Sequence, residues 1–421
     1  MRGNCVLGQS GGPTAVINAS LCGLLQEAGR RGAFDRIYGA RHGVVGLLNE
    51  DLADLRREEP AEIELLRSTP GAALGSCRYK LPAADTEEGK RHFTRLLEVF
   101  DAHDIHCLFY SGGNDSMDTL SRLLAYAAGQ GYDLHGIGVP KTVDNDLPGT
   151  DHCPGYGSVA KHLAAIAMGV GLDMQSMRLS DPVVVMEVQG RFSGWMTAST
   201  ALARRRAGDA PNLLCLPEVP WNRERFLEDV RRSHAKYGWC FVTVATATKD
   251  EEGRPLSAPT GPFAHDAFGH AQLGGVGSVL VELIKQELKL KARLVRLGPA
   301  ERVAMHFGSL TDRDEAYALG VHALRAAVEG ESGKMVGLER VSNHPYRCDL
   351  TLVDLSVVAN AEKLIPREWI TEAGNDVNEQ FLEYARPLIQ GEVPTPTEDG
   401  LPRYARLEGV AVEKKLGAWQ G

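Results

Sequence analysis

The chain alternates short apolar runs with longer amphipathic stretches. Cys5-Val6-Leu7-Gly8, Cys107-Leu108-Phe109-Tyr110, Val183-Val184-Val185-Met186, Leu213-Leu214-Cys215-Leu216 and Phe241-Val242-Thr243-Val244 carry almost no polar residue. Apolar runs of this length, without polar alternation, predict strands covered on both faces. Between them, 15–28, 116–128, 158–168 and 276–288 have the length and amphipathic character of helices. Strand followed by helix, repeated, predicts an α/β fold with largely parallel sheets. At 421 residues the chain has room for two such domains, since one usually takes about 100–200 residues. No internal repeat interrupts the pattern. The stretch 391–402, rich in Pro, Thr and acids, predicts a surface loop. The apolar stretch 350–358 is expected to pack onto the core.

Composition narrows the classes. A 43% hydrophobic and 24% charged chain has the material for a globular core. Charged residues break every apolar run before membrane-spanning length, so no membrane partner is expected. The N-terminus has no apolar stretch of signal-peptide length. The eight cysteines form no CxxC pair, which predicts reduced thiols in a cytoplasmic protein rather than a zinc site. The net charge of −9 argues against a nucleic-acid partner. It also means that any phosphate site must gather Arg and Lys locally.

Ligands of open α/β sheets bind at the carboxyl ends of the strands, so the loops after the predicted strands carry the interest. The first is Gly8-Gln9-Ser10-Gly11-Gly12-Pro13-Thr14. Glycines let successive backbone N–H groups face one centre, and the following helix directs its positive end there. Alone, this loop reads equally well as a tight turn. Tyr110-Ser111-Gly112-Gly113-Asn114-Asp115-Ser116 repeats the layout after another strand, with Ser116 placed to cap the next helix. The pair points to a phosphate chain, although neither loop is a Walker motif. Then follows Val139-Pro140-Lys141-Thr142-Val143-Asp144-Asn145-Asp146. Alone, it reads as an Asx-type turn with surface acids. Beside two glycine nests it reads as a phosphoryl-transfer centre: a carboxylate to take a hydroxyl proton, a lysine to offset charge, and oxygen ligands for Mg2+.

The ordered set of motifs resembles the phosphofructokinase family over residues 4–320. It comprises Gly11-Gly12, Leu74-Gly75-Ser76-Cys77-Arg78, Gly112-Gly113-Asn114-Asp115-Ser116, the segment 140–146, Gln189-Gly190-Arg191, Pro217-Glu218 and an arginine-bearing strand at 293–302. The resemblance implies two Rossmann-like three-layer domains with mainly parallel sheets. One would span 1–155, completed by 304–345, and hold the phosphoryl donor. The other would span 156–303, completed by 346–421, and hold the sugar phosphate. It implies that Asp144 is the general base for a sugar 1-hydroxyl, with Thr142 and Asp146 beside it and Lys141 and Arg191 at the transferring group. Gln189, Gly190, Arg191 and Glu218 would contact the sugar, and Arg293 and Arg302 its 6-phosphate. Gly11, Gly12, Arg78, Gly113, Asp115, Ser116 and Lys141 would line the donor. Guanidinium forks suit phosphate oxygens, and these arginines answer the charge problem.

Donor choice rests on two positions. ATP-dependent members generally carry glycine where this chain has Asp115 and Lys141, leaving room for a nucleotide. Side chains there fill that room, and Asp115 repels an α-phosphate. The combination is characteristic of members that use pyrophosphate, with fructose 6-phosphate as acceptor and Mg2+ as cofactor. An ATP-dependent enzyme is the alternative. Three positions depart from the family pattern. Asn114 stands where many members have a magnesium-linked acid, so Asn114 and Asp115 are the candidate Mg2+ ligands. Pro182 replaces an arginine that reaches a neighbouring subunit's substrate, which leaves Arg178 as another grip. Pro299 replaces a His or Tyr, which admits sedoheptulose 7-phosphate as a second substrate. The family is built of homodimers and homotetramers, and the same is expected here.

Overall fold

The computed structural model describes residues 3–190, 193–257, 275–359 and 361–421. The strands are β1 (Asn4–Gln9), β2 (Ile37–Ala40), β3 (Leu52–Asp54), β4 (Ile105–Gly112), β5 (His135–Pro140), β6 (Val183–Val188), β7 (Leu213–Cys215), β8 (Cys240–Ala245), β9 (Ala292–Arg296), β10 (Lys334–Asn343) and β11 (Tyr346–Asp354), beside a two-residue pair at 397–402. Among the described residues they form two main sheets, β11-β10-β5-β4-β1-β2-β3 and β7-β8-β6-β9. In the larger sheet the five central strands are parallel, while β3 and β11 pair antiparallel at its edges. The smaller sheet is parallel throughout.

Both sheets are covered on two faces, which is why their strands read as unbroken apolar runs. On one face of the larger sheet, the helices Ile17–Arg31 and Leu310–Val328 bury Leu21, Leu24, Leu319 and Leu324. Their backbones nearly touch, since a Cβ on Gly23 would lie 2.2 Å from the Tyr317 carbonyl oxygen. On the other face, Glu87–Ala102 and Asn114–Gly129 bury Phe93, Phe100 and Leu120. The smaller sheet sits between Tyr156–Met177 on one side and Arg223–Tyr237 with Val276–Leu288 on the other.

The predicted strands all form. The helix expected at 158–168 is twice that length, Tyr156–Met177, because burial of Gly171 against Ala210 carries it through two glycines. The division at 346 is corrected. Tyr346–Asp354 is an edge strand of the larger sheet, fixed by its register with β10. Among the described residues of 346–421, Tyr346 and side chains within 365–389 pack on the smaller sheet's core, while Leu407, Val412 and Trp419 return to the larger lobe. Of the stretch 350–358, Leu355 and Val358 are buried as expected, whereas Leu350 is exposed on the edge strand. Residues 391–402 form the expected surface loop, closed by the two-residue pair.

Candidate active site

The loops after β1, β4 and β5 meet at the carboxyl ends of neighbouring parallel strands. Gly11 has φ +78°, a left-handed conformation that favours glycine. A Cβ on Gly11 would lie 3.1 Å from Lys141 Nζ. A Cβ on Gly12 would lie 2.7 Å from an Arg302 guanidinium nitrogen and 3.6 Å from one of Arg78. Three cations therefore converge on one glycine turn. The loop is braced from behind, where the Gly11 N–H donates to the Cys77 carbonyl at 2.9 Å and Ser76 Oγ donates to the Gly11 carbonyl at 2.5 Å.

The second nest is arranged differently from the reading above. Its helix begins at Asn114 with Gly113 at the N-cap and no side-chain cap. Ser116 lies inside the first turn, its Oγ 2.0 Å from where a Gly112 Cβ would project, so it packs under the loop instead of capping it. The uncapped N-terminus leaves its N–H groups to an anion. Asn114 Oδ1 is buried with no hydrogen-bond partner, and half-buried Asp115 follows it in the same turn.

Lys141 is 4% exposed. Burial, and next the charge of Arg302, pull its ammonium down to about 8, while Asp144 and Asp146 resist that pull. Asp146 is raised to about 7 by burial and then by the charge of Asp144. The charge of Asp144 thus disfavours ionisation of Asp146. The Asp144 N–H donates to Thr142 Oγ1 at 3.1 Å, and the Asp144 carbonyl accepts from Ser193 Oγ at 3.0 Å. Next to Ser193, the Gly194 N–H donates at 2.8 Å to Glu218 Oε1, which also accepts from the Ile365 N–H at 3.2 Å. Burial raises the Glu218 carboxyl, and its Oε2 is buried without a partner. The Gln189 N–H donates to Glu301 Oε2 at 3.0 Å and its amide to the Gly298 carbonyl at 2.8 Å, while the Gly190 carbonyl accepts from Thr246 Oγ1 at 3.1 Å. Glu301, raised by burial to about 7, precedes Arg302, whose Nε is also buried and unpartnered.

A family model described as phosphofructokinase matches residues 4–327, a span that holds every one of these loops. The chain belongs to the phosphofructokinase family. It is 44% identical over 415 residues to a pyrophosphate–fructose 6-phosphate 1-phosphotransferase of Halomonas elongata, with 98% of each chain covered. A protein of the same name from Xanthomonas campestris pv. campestris is 42% identical over 422 residues, with 100% of both covered. A pyrophosphate-dependent phosphofructokinase from Marinobacter aquaeolei has the same fold, with TM-score 0.90, 40% identity and 100% of both chains covered.

Within this phosphofructokinase site the structure brings together Gly11, Gly12, Arg78, Lys141, Thr142, Asp144, Asp146 and Arg302. Gln189 bonds Glu301, the residue before Arg302, and Glu218 bonds the N–H of Gly194, the residue after Ser193, which bonds Asp144. Gly113, Asn114, Asp115 and Ser116 form the neighbouring turn. Arg191 lies outside the described residues. Arg293 is not brought to the cluster. It sits near the amino end of β9, opposite Val184, and is ion-paired with Asp181. Gln189 lies beyond the carboxyl end of β6, about 17 Å further along at 3.3 Å per residue.

Several residues support the site without being among the candidates named from the sequence. Asn145 adopts φ +54° and is fully buried between the two carboxylates. Its amide donates to Tyr384 Oη at 2.8 Å and accepts from the Cys153 N–H at 2.9 Å. The Lys363 N–H donates to the Asp146 carbonyl at 2.7 Å, and Glu362 adds charge beside Asp146. Asn145 is signalled by the carboxylates that flank it. Glu362, Lys363 and Tyr384 come from beyond the matched span and give no sequence signal.

Proposed function

We propose that this chain transfers a phosphoryl group reversibly from inorganic pyrophosphate to the 1-hydroxyl of fructose 6-phosphate, giving fructose 1,6-bisphosphate and phosphate. The observation that carries this reading is Lys141, buried with its Nζ against the Gly11 turn, at a position where the resemblance gives ATP-dependent members a glycine. Arg302 and Arg78 both disfavour the Lys141 charge, and a pyrophosphate bound among the three would relieve that repulsion. The names of the similar proteins agree with this donor and acceptor.

In this reading Asp144 takes the 1-hydroxyl proton, with Asp146 beside it. Lys141 and Arg191 meet charge at the transferring phosphorus, and Gly11, Gly12, Arg78, Gly113, Asp115 and Ser116 hold the rest of the donor. Glu218 Oε2 and Arg302 Nε are buried without partners; Glu218 takes the sugar hydroxyls in this reading, and Arg302, whose guanidinium lies against the Gly12 turn, meets the donor there. The larger-sheet lobe thus takes pyrophosphate and the smaller the sugar. The donor set fits Mg2+: Asn114 Oδ1 lacks a partner, and Asp115 adds a carboxylate. Those oxygens alone make an incomplete shell, which pyrophosphate completes, as is usual for Mg2+. Bound there, the ion would neutralise phosphate charge.

Arg293 serves the 6-phosphate only from a second copy of the chain. Leu172, 64% exposed, and Leu179, 98% exposed and two residues before Asp181, are large apolar side chains left uncovered within one chain, as an interface between copies would require. No described helix is long and apolar enough to cross a membrane. The eight cysteines are all unpaired, which suits the reducing cytoplasm.

The test is a coupled assay offering pyrophosphate or ATP to the parent and to an Asp115→Gly, Lys141→Gly variant. The parent is expected to turn over with pyrophosphate alone, and the variant to lose at least tenfold in pyrophosphate kcat/KM, roughly the effect of one lost charge contact. ATP turnover by the parent, or unchanged pyrophosphate kinetics in the variant, would overturn the donor reading.

A further inference from the structure

The C-terminal residues beyond 403 lie outside the family match, yet they are bound more specifically than a trailing segment. The Glu58 carboxylate accepts the N–H groups of Glu408 and Gly409 at 2.7 and 2.8 Å, and that of Glu50 accepts those of Lys415 and Leu416 at 2.6 and 3.0 Å. Both carboxylates are buried. Between these two anchors the segment pairs with β3, where the Asp54 N–H donates to the Val410 carbonyl and the Val412 N–H to that of Leu52, each at 2.9 Å.

Past the second anchor, Arg95 donates to the Gly417 carbonyl at 2.8 Å, and the ring of Trp419 meets that of His92 edge-on at 5.2 Å. His92 is buried. Its Nδ1 faces the Glu88 carbonyl at 2.8 Å, an atom that only accepts, so Nδ1 carries the proton in the neutral ring. Nε2 is then the acceptor for Tyr79 Oη at 2.7 Å, and the two rings also stack. Tyr79 follows Arg78 on a segment, 76–83, that has no helix or strand to hold it.

We infer that Trp419 and His92 are positioning residues for Arg78, so that the C-terminal segment sets the affinity for pyrophosphate from outside the site. This rests on Arg78 being a pyrophosphate contact. The irregular segment that carries Arg78 is tied to Gly11 through Ser76 and Cys77 on one side of the arginine, and the Trp419–His92–Tyr79 chain holds it on the other. Loss of that chain shifts the segment under Arg78 while Asp144, Lys141 and the sugar site stay in place.

The experiment is steady-state kinetics on full-length variants. Trp419→Ala is expected to raise the pyrophosphate KM about tenfold, since small misplacements away from the chemistry reach that size. The fructose 6-phosphate KM and kcat should stay within about twofold on the same grounds, and Trp419→Phe should restore most of the loss. Tyr79→Phe, which keeps the ring and removes only the donor to His92, should shift the same constant in the same direction at unchanged Tm; it decides the matter if Trp419→Ala does not fold. Unchanged pyrophosphate KM in Tyr79→Phe and Trp419→Ala, or constants for both substrates moving together as Tm falls, would overturn the inference. Arg78→Ala separates the two claims. If it raises the pyrophosphate KM and Trp419→Ala does not, only the inference falls; if Arg78→Ala leaves that KM unchanged, both fall.

Discussion

At the scale of single residues, the pair of titrations at the site gives a prediction with a sign. The Asp146 carboxyl is raised to about 7 and the Lys141 ammonium lowered to about 8. In the proposed reaction the carboxylates work ionised and the lysine works protonated, so kcat/KM for pyrophosphate should rise through about 7 and fall above about 8. Bound pyrophosphate favours the ammonium, so the alkaline limb of kcat should lie higher than that of kcat/KM. Arginine does not deprotonate in this range, and Lys141→Arg should therefore abolish the alkaline limb even where activity drops. A limb that stays put in the variant belongs to another group. The two glycine nests and the Lys-Thr-Val-Asp-Asn-Asp segment were legible because each is contiguous and ends a strand. Glu301 and Glu362 were not, since nothing in their neighbours distinguishes them from surface acids until the fold buries one and carries the other to Asp146.

At the scale of elements, the catalytic loop is held by a network drawn from four distant segments. His152 hydrogen-bonds Asp151 at 2.8 Å and Glu315 at 2.6 Å; Arg340 of β10 pairs with Asp151 at 2.8 Å; and Tyr346 of β11 donates to Glu315 at 2.6 Å. Burial alone would lower the imidazole, but Glu315 and Asp151 outweigh it and raise the group from 6.5 to about 9. A raised folded-state value means the stabilisation is full below 6.5, fades as pH rises, and is gone above about 9. A shift of that size corresponds to roughly 3 kcal/mol. Thermal unfolding of the parent should thus lose stability between pH 6.5 and 9, while His152→Gln should start lower and show a flatter profile. Parallel profiles would mean that the imidazole is neutral in the folded chain. The strands were readable because burial on both faces writes itself into consecutive residues. This network was not, because Arg340 and Tyr346 reach it through the pairing of β10 with β5 and β11, and Glu315 from the helix Leu310–Val328.

At the scale of the whole molecule, the two-lobe α/β plan followed from the repeated strand–helix pattern, but the allocation of the C-terminal third did not. The half-exposed hairpin of β10 and β11 and the polar segment beyond 403 have no continuous apolar signature to say which sheet they join. Arg293 poses the same question one level higher. Within a single chain it is spent on Asp181, about 17 Å along the strand direction from the end that carries Gln189. If a second copy presents it, each site is built from two chains, and complementation follows from symmetry. Asp144→Asn should lose activity for want of the base, and Arg293→Ala for want of the phosphate grip. Mixed, unfolded and refolded together in equal amounts, the two variants give about half hybrid dimers, each with one site that keeps both groups and one that lacks both, so about a quarter of parental activity should return. If Arg293 only ties β9 to Asp181 within its own chain, every site in every hybrid carries one defect, and mixing restores nothing.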